Sequence, residues 1–276
     1  MARRPWGARL SAFWPASWLP DTLVLKHRAI PDALWQHTLQ NYPFLTWRSA
    51  SAQQRLRELS TLFLARKEFT PAGGLRLTDD MAVAIAAQAC LPILPWGLRA
   101  YERFVSVVVH PDQVVARRTV TDEAGVVHHY DEVLAGESMP DGPVMLSWHD
   151  VQQAQDMTQG YNVVIHEFAH ALDMLNGQAD GTPPLPPHLS ARQWQDTLWQ
   201  AFDRHRDALA HGDTPWLDPY AAQDGLTEFF PVVTEAFFVA PTRLQAEHPD
   251  VYALLCSYFD ETPAAYDVPR DELPPP

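Results

Sequence analysis

Cysteine is nearly missing from this sequence: only Cys90 and Cys256 occur in 276 residues. Two thiols cannot build a disulfide framework, and neither lies in a CxxC spacing that holds a metal. Cys90 falls in the apolar run Ala86-Ala87-Gln88-Ala89-Cys90-Leu91, the setting of a buried free thiol, and such sparing use fits a reducing compartment. Basic charge is also scarce. Twenty Lys and Arg face 34 Asp and Glu, for a net charge of −14 and a pI near 5.2. Such a surface repels phosphate backbones and anionic headgroups, which argues against nucleic-acid or membrane-surface binding, and it attracts cations. No apolar run approaches the roughly 18 residues of a spanning helix. Arg3 and Arg4 precede no continuous apolar segment, because Pro5, Gly7, Pro15 and Pro20 interrupt it, so no signal peptide is read. The expectation is a soluble, cytoplasmic protein with no membrane span and no direct nucleic-acid binding.

What is present is an ordinary globular composition, 46% apolar and 20% charged, enough to bury a sizeable core. Leu34, Trp35 and Leu39 recur at helical spacing after Pro31, and Leu56, Leu59, Leu62 and Phe63 mark a helix over about 50–67. Thr78 is placed to cap a third helix, whose acidic start at Asp79-Asp80 suits the helix dipole. The texture then becomes β-branched. Phe104–Val109, Val114–Val120, Val126–Leu134 and Val144–Trp148 read as four strands of a small, mostly antiparallel sheet. Helical segments return over about 149–157, 162–176, 190–210, 227–240 and 249–260. The expected class is α+β: N-terminal helices, a small sheet, then C-terminal helices. Residues 1–20 read as a poorly ordered lead, 21–262 as one domain, and 263–276 as a flexible Pro-rich tail.

The segment Asn162-Val163-Val164-Ile165-His166-Glu167-Phe168-Ala169-His170-Ala171-Leu172-Asp173 carries the pattern H-E-x-x-H. On a helix, positions i and i+4 share a face, so both imidazoles reach one metal ion and leave places for a third ligand and a water. The intervening Glu167 lies about 100° round the helix, near enough to take a proton from that water. The segment is apolar nearly all round, as a core helix must be, and two histidines and a glutamate there are costly without partners. Asn162 suits the N-cap and Asn176-Gly177 a left-handed stop. Asp173, three residues after His170, shares the histidine face, where it either orients a ligand imidazole or stands in solvent at the last turn.

A third ligand must come from downstream. Glu228 and Glu235 both sit in aromatic surroundings that disfavour an unpaired carboxylate. They are seven residues, about 10 Å, apart on a helix, so one ion cannot take both. Pro231 fits a helix if Thr227 is its N-cap, which puts the proline in the first turn. His128-His129 falls in a strand, and His205 and His211 read as surface residues.

Over about 25–262 the chain resembles the Mlc titration factor A family of bacterial zinc peptidases. The resemblance rests on Phe63-Leu64-Ala65-Arg66-Lys67, Ala86–Pro92, Leu146-Ser147-Trp148, the His166–His170 helix and Thr234-Glu235-Ala236-Phe237-Phe238. It implies a zincin-like, gluzincin-type core similar to that of anthrax lethal factor. One zinc per chain would be held by His166, His170 and Glu228, with Glu167 as general base and Tyr220 at the transition state. Glu235, two turns deeper on the same helix face as Glu228, is then placed to orient a ligand histidine. Tyr220 lies eight residues before Glu228, where the family has seven. The resemblance further implies aminopeptidase-type activity on peptide or protein substrates, and an Mlc-like transcriptional repressor as partner. The alternative function is a non-catalytic protein that sequesters a transcription factor, with zinc mainly structural. Glu167 favours the hydrolase, since a structural site has no use for that carboxylate.

Overall fold

The computed structural model describes residues 19–104, 106–121, 127–139 and 142–267, without the side chains of 116–121 and 127–133. The expected lead therefore lies outside the described residues up to position 18, and the tail beyond 267, whereas Pro263–Ala265 forms a 3₁₀ turn. His128 and His129 fall on a strand, with their rings outside the description.

Four helices lead: α1 (Asp21–Arg28), α2 (Asp32–Asn41), α3 (Ala50–Arg66) and, after strand β1 (Glu68–Pro71), α4 (Asp79–Ala89). The Thr78 side chain caps α4 by accepting from the Met81 N–H. Five strands follow: β2 (Ser106–His110), β3 (Val114–Thr121), β4 (Val127–Leu134), β5 (Gly136–Ser138) and β6 (Val144–Ser147). The C-terminal half is helical, with α5 (Trp148–Gln153), α6 (Val163–Asp173), α7 (Ala191–Ala210), α8 (Leu226–Val239), α9 (Pro241–Glu247) and α10 (Pro249–Phe259). The chain is α+β.

The sheet corrects the antiparallel expectation. Its order is β1-β2-β6-β5, with β1–β2 and β2–β6 parallel and only β5–β6 antiparallel. β3 and β4 make a separate antiparallel ribbon. Alternating side chains of β2 and β6 are buried on one face, and this β-branched texture does not distinguish the two pairing directions. β1 and β5, too short to register as strands in the sequence, close the two edges.

α6 packs against α8, α4 and the strands β5 and β6. Phe168 anchors it: its ring lies 5.7, 5.0 and 5.3 Å from those of Phe63, Tyr101 and Phe104. Lys67 closes that cluster, its Nζ 4.3 Å from the Phe104 ring centre and donating to the carbonyls of Tyr101 and Phe104. Burial draws this ammonium down to about 8. α8 is held by Trp194–Phe230, Phe202–Phe229 and Phe237–Phe259 ring pairs 5.4–5.9 Å apart. Pro231 sits inside α8, because the helix begins at Leu226 behind a Gly225 cap, two positions earlier than a Thr227 cap requires. His205 also departs from expectation: it is buried against Phe229, on the inner face of α7.

Candidate metal centre

α6 begins where Asn162 leaves extended backbone, and the Asn162 side-chain oxygen accepts the Ile165 N–H at 2.9 Å. Its amide donates to Gln88 Oε1 on α4 at 2.8 Å, and its backbone N–H donates to Glu235 on α8. One buried residue thus ties the entry of α6 to two other helices. The i, i+4 spacing stacks His166 and His170, with ring centres 4.8 Å apart. Glu228, in the first turn of α8, reaches both rings.

Three donor atoms converge. His166 Nε2 lies 3.2 Å from His170 Nε2 and 3.2 Å from Glu228 Oε2, and His170 Nε2 lies 3.5 Å from the same oxygen. Donors around a tetrahedral zinc at bond lengths of about 2.0–2.2 Å stand about 3.3 Å apart. The triangle therefore has the edge lengths of a zinc cradle. Among the described residues, these three form the one group of His, Cys, Asp and Glu able to hold a metal ion.

Glu235 sets the tautomer. Its Oε1 lies 2.7 Å from His166 Nδ1, and an ionised carboxylate only accepts, so Nδ1 carries the proton and Nε2 turns its lone pair to the centre. Burial raises the Glu235 carboxyl, opposed by the His166 ring and the Asn162 N–H. Glu228 is drawn down to about 2: burial acts against ionisation, and the adjacent His166 and His170 rings outweigh it.

Glu167 lies beside the triangle and is 5% exposed, with Oε2 lacking any hydrogen-bond partner among the described residues. Burial pushes its carboxyl up to about 7, against the pull of His166 and His170. Gly136 on β5 lies directly over it. A Cβ at Gly136 would stand 2.5 Å from Glu167 Oε1 and 2.6 Å from its Cγ, closer than real Cβ atoms come. The edge strand can pass this close only because residue 136 has no side chain.

Tyr220 is carried by a 3₁₀ turn, Pro219–Ala222, and its ring centre lies 5.9 Å from that of His166. Between Tyr220 and Glu228 the chain turns at Gly225, where φ is +57°. Asp173 goes elsewhere: its Oδ2 accepts the Gly181 N–H at 2.7 Å, which ties the loop after α6.

The structure thus brings together His166, Glu167, His170, Glu228, Glu235 and Tyr220. Sequence reasoning missed Gly136, Tyr161 and Asp218, all of which line a cavity beside Glu167. Gly136 offered a faint signal as a lone glycine between two β-branched runs; Tyr161 and Asp218 offered none.

A family model described as glucose-regulated metallo-peptidase M90 matches residues 16–260. The protein named Mlc titration factor A of Yersinia enterocolitica is 35% identical over 236 residues, covering 84% of this chain and 87% of its own. Those of Yersinia pestis (strain Pestoides F) and Yersinia pseudotuberculosis (serotype O:1b) are each 34% identical over 236 residues, covering 84% of this chain and 86% of theirs. The family match runs through every residue of the centre, and the chain belongs to the glucose-regulated metallo-peptidase M90 family.

Proposed function

We propose that the chain is a zinc-dependent, aminopeptidase-like metallopeptidase working in the cytoplasm, with one zinc held by His166, His170 and Glu228. The observation that carries this reading is the 3.2–3.5 Å triangle of donors set beside a buried glutamate whose Oε2 has no partner among the described residues. A zinc ion there supplies Lewis acidity to the scissile carbonyl and to the attacking water. Glu167 takes the proton of that water and delivers it to the leaving amine. The walls that bury Glu167 keep its basicity matched to neutral pH. Tyr220, its ring centre 5.9 Å from that of His166, donates a hydrogen bond to the oxygen on which negative charge develops. Glu235 holds the His166 ring in the donor tautomer throughout. The substrate backbone lies along β5, the outer strand of the sheet, as an added strand. β6 is not open to this role, since it is paired on both sides, by β2 and β5.

The decisive variant is Glu167→Gln. It should keep zinc and fold while lowering turnover of peptide reporters by a factor of roughly 10² or more. Hydrolysis near the wild-type rate, with contaminating protease excluded, would overturn the mechanism.

A second reading, an Mlc-like transcriptional repressor as partner and a role in regulating sugar uptake, draws support from the relatives' name, Mlc titration factor A, and from the family's description as glucose-regulated. The same variant separates the two. A sequestering protein retains repressor capture in Glu167→Gln at undiminished affinity, whereas peptide turnover is lost.

A further inference from the structure

A cavity of about 290 Å³ opens beside Glu167, walled by β5, the loop ahead of α6, the turn bearing Tyr220, and α8. Its lining includes the carboxylates of Glu167, Glu235 and Asp218 and, among the described residues, contains no Lys or Arg. Leu134, Val163, Leu217 and Val232 give it an apolar stretch. Tyr161 stands on the same wall. Burial first, and then Glu235, Asp150, Glu167 and Asp218 in turn, raise its phenol above the usual tyrosine range, so four acids lie within electrostatic reach of one hydroxyl.

Two of these acids are buried and incompletely satisfied. Asp150 is 2% exposed; one oxygen accepts from Gln113 Nε2 at 2.9 Å, and the other has no partner among the described residues. Gln113 itself lines the cavity. Glu167 Oε2 is the second unpartnered oxygen, and Glu167 is also a lining residue. Counting Glu228, five carboxyl groups lie in or near this region. Asp218 is exposed at the cavity mouth, where its Oδ1 accepts the Tyr220 N–H at 2.8 Å.

Resting on the peptidase reading above, we propose that this cavity is a specificity subsite for a lysine or arginine side chain adjoining the scissile bond, with Asp218 as its principal counter-charge. A long basic side chain matches both halves of the wall: the methylene stem lies along the apolar stretch and the cation meets the acids. A bare terminal ammonium would leave the apolar stretch unfilled. The net charge of −14 favours the same class of substrate during encounter.

The test uses the zinc-loaded full chain and paired peptides carrying lysine or norleucine on either side of the scissile bond, each with a free and an acetylated N-terminus. Norleucine keeps the stem and removes the charge. At one of the two positions, kcat/KM should favour lysine by about tenfold, with or without acetylation. Asp218→Asn, which retains an oxygen to cap Tyr220, should cut that ratio about threefold, and Asp150→Asn should also lower it. Equal turnover of the pair, or a ratio unchanged in both variants, overturns the subsite. So does a charge preference abolished by acetylation, which would assign the cation to the terminal amine. If no peptide is cleaved at all, the peptidase reading fails on its own, and calorimetry with lysine hydroxamate and norleucine hydroxamate decides the subsite. Tighter binding of the lysine compound supports it, and equal binding overturns it.

Discussion

At the residue scale, Glu167 is controlled by what surrounds it. Its carboxyl is raised by burial and held back by two imidazoles, and its position is bounded above by Gly136. A methyl group at Gly136 must displace the glutamate or lift β5. Gly136→Ala should therefore lower kcat by at least about tenfold while zinc content stays stoichiometric, since no donor of the triangle is touched. Unchanged turnover would show that the carboxylate moves aside freely. The two acids of α8 divide the work differently. Glu228→Ala removes a donor, whereas Glu235→Ala leaves the triangle and frees the His166 ring, a change typically worth about 10–100-fold in metal affinity. Competition titration with a chromophoric chelator should show the larger loss for Glu228→Ala. Denaturant titration should show the larger stability loss, about 1–3 kcal/mol, for Glu235→Ala, which also strips a partner from the Asn162 N–H. An affinity loss greater for Glu235→Ala would reverse the assignment.

At the scale of elements, the C-terminal end of α6 is fastened through Asp173. Its carboxylate accepts the Gly181 N–H, Gly181 packs against the start of α8, and the Gly181 carbonyl accepts from Trp194 Nε1 of α7 at 2.8 Å. Burial pushes the Asp173 carboxyl up to about 7, above its ordinary 3.8, with the Gly181 N–H pulling the other way. A group raised in the folded state contributes stability that is complete below the unfolded value and lost as pH rises through the folded one. The window here runs from about pH 4 to about pH 7. Asp173→Asn keeps an oxygen for Gly181 and removes the titration. Relative to wild type, the variant should gain stability between pH 4 and pH 8, by a few kcal/mol at most. Urea midpoints taken at both pH values check this, and a gap that does not change with pH would refute the account.

At the scale of the whole molecule, the candidate metal centre spans α6 and α8, and both pack into the core formed with α3, α4, α7 and α10. An ion bound there links the two helices only in the folded chain, so it stabilises by mass action. At free zinc about a thousandfold above its dissociation constant, this amounts to about 4 kcal/mol, or on the order of 10 °C in melting temperature for a chain of this size. Chelation should lower the melting temperature by about that amount, and stoichiometric zinc should restore it. A chelated protein that melts like the untreated one would place the site elsewhere. Among the described residues, no helix is long and apolar enough to cross a membrane.

The sequence by itself determined the parts of this protein that depend on short-range geometry. The stacking of His166 and His170, the Asn162 cap and the Thr78 cap all follow from residues within four positions of one another, where the helix period leaves little choice. The aromatic surroundings of Glu228 and Glu235 likewise marked α8 as an element that must supply partners. Tertiary structure decided everything that turns on distant neighbours. β1 pairs with β2 across more than thirty residues, and a strand's own composition does not encode whether its neighbour runs parallel or antiparallel. His205 reads as polar, yet the inward face of α7 buries it. Asp173 had a ligand imidazole within plausible reach, but the fold brought the Gly181 N–H to it first. The approach of Gly136 to Glu167 joins residues thirty-one positions apart through strand order alone, and the choice between Glu228 and Glu235 as the donor beside His170 depends on the depth at which α8 lies against α6.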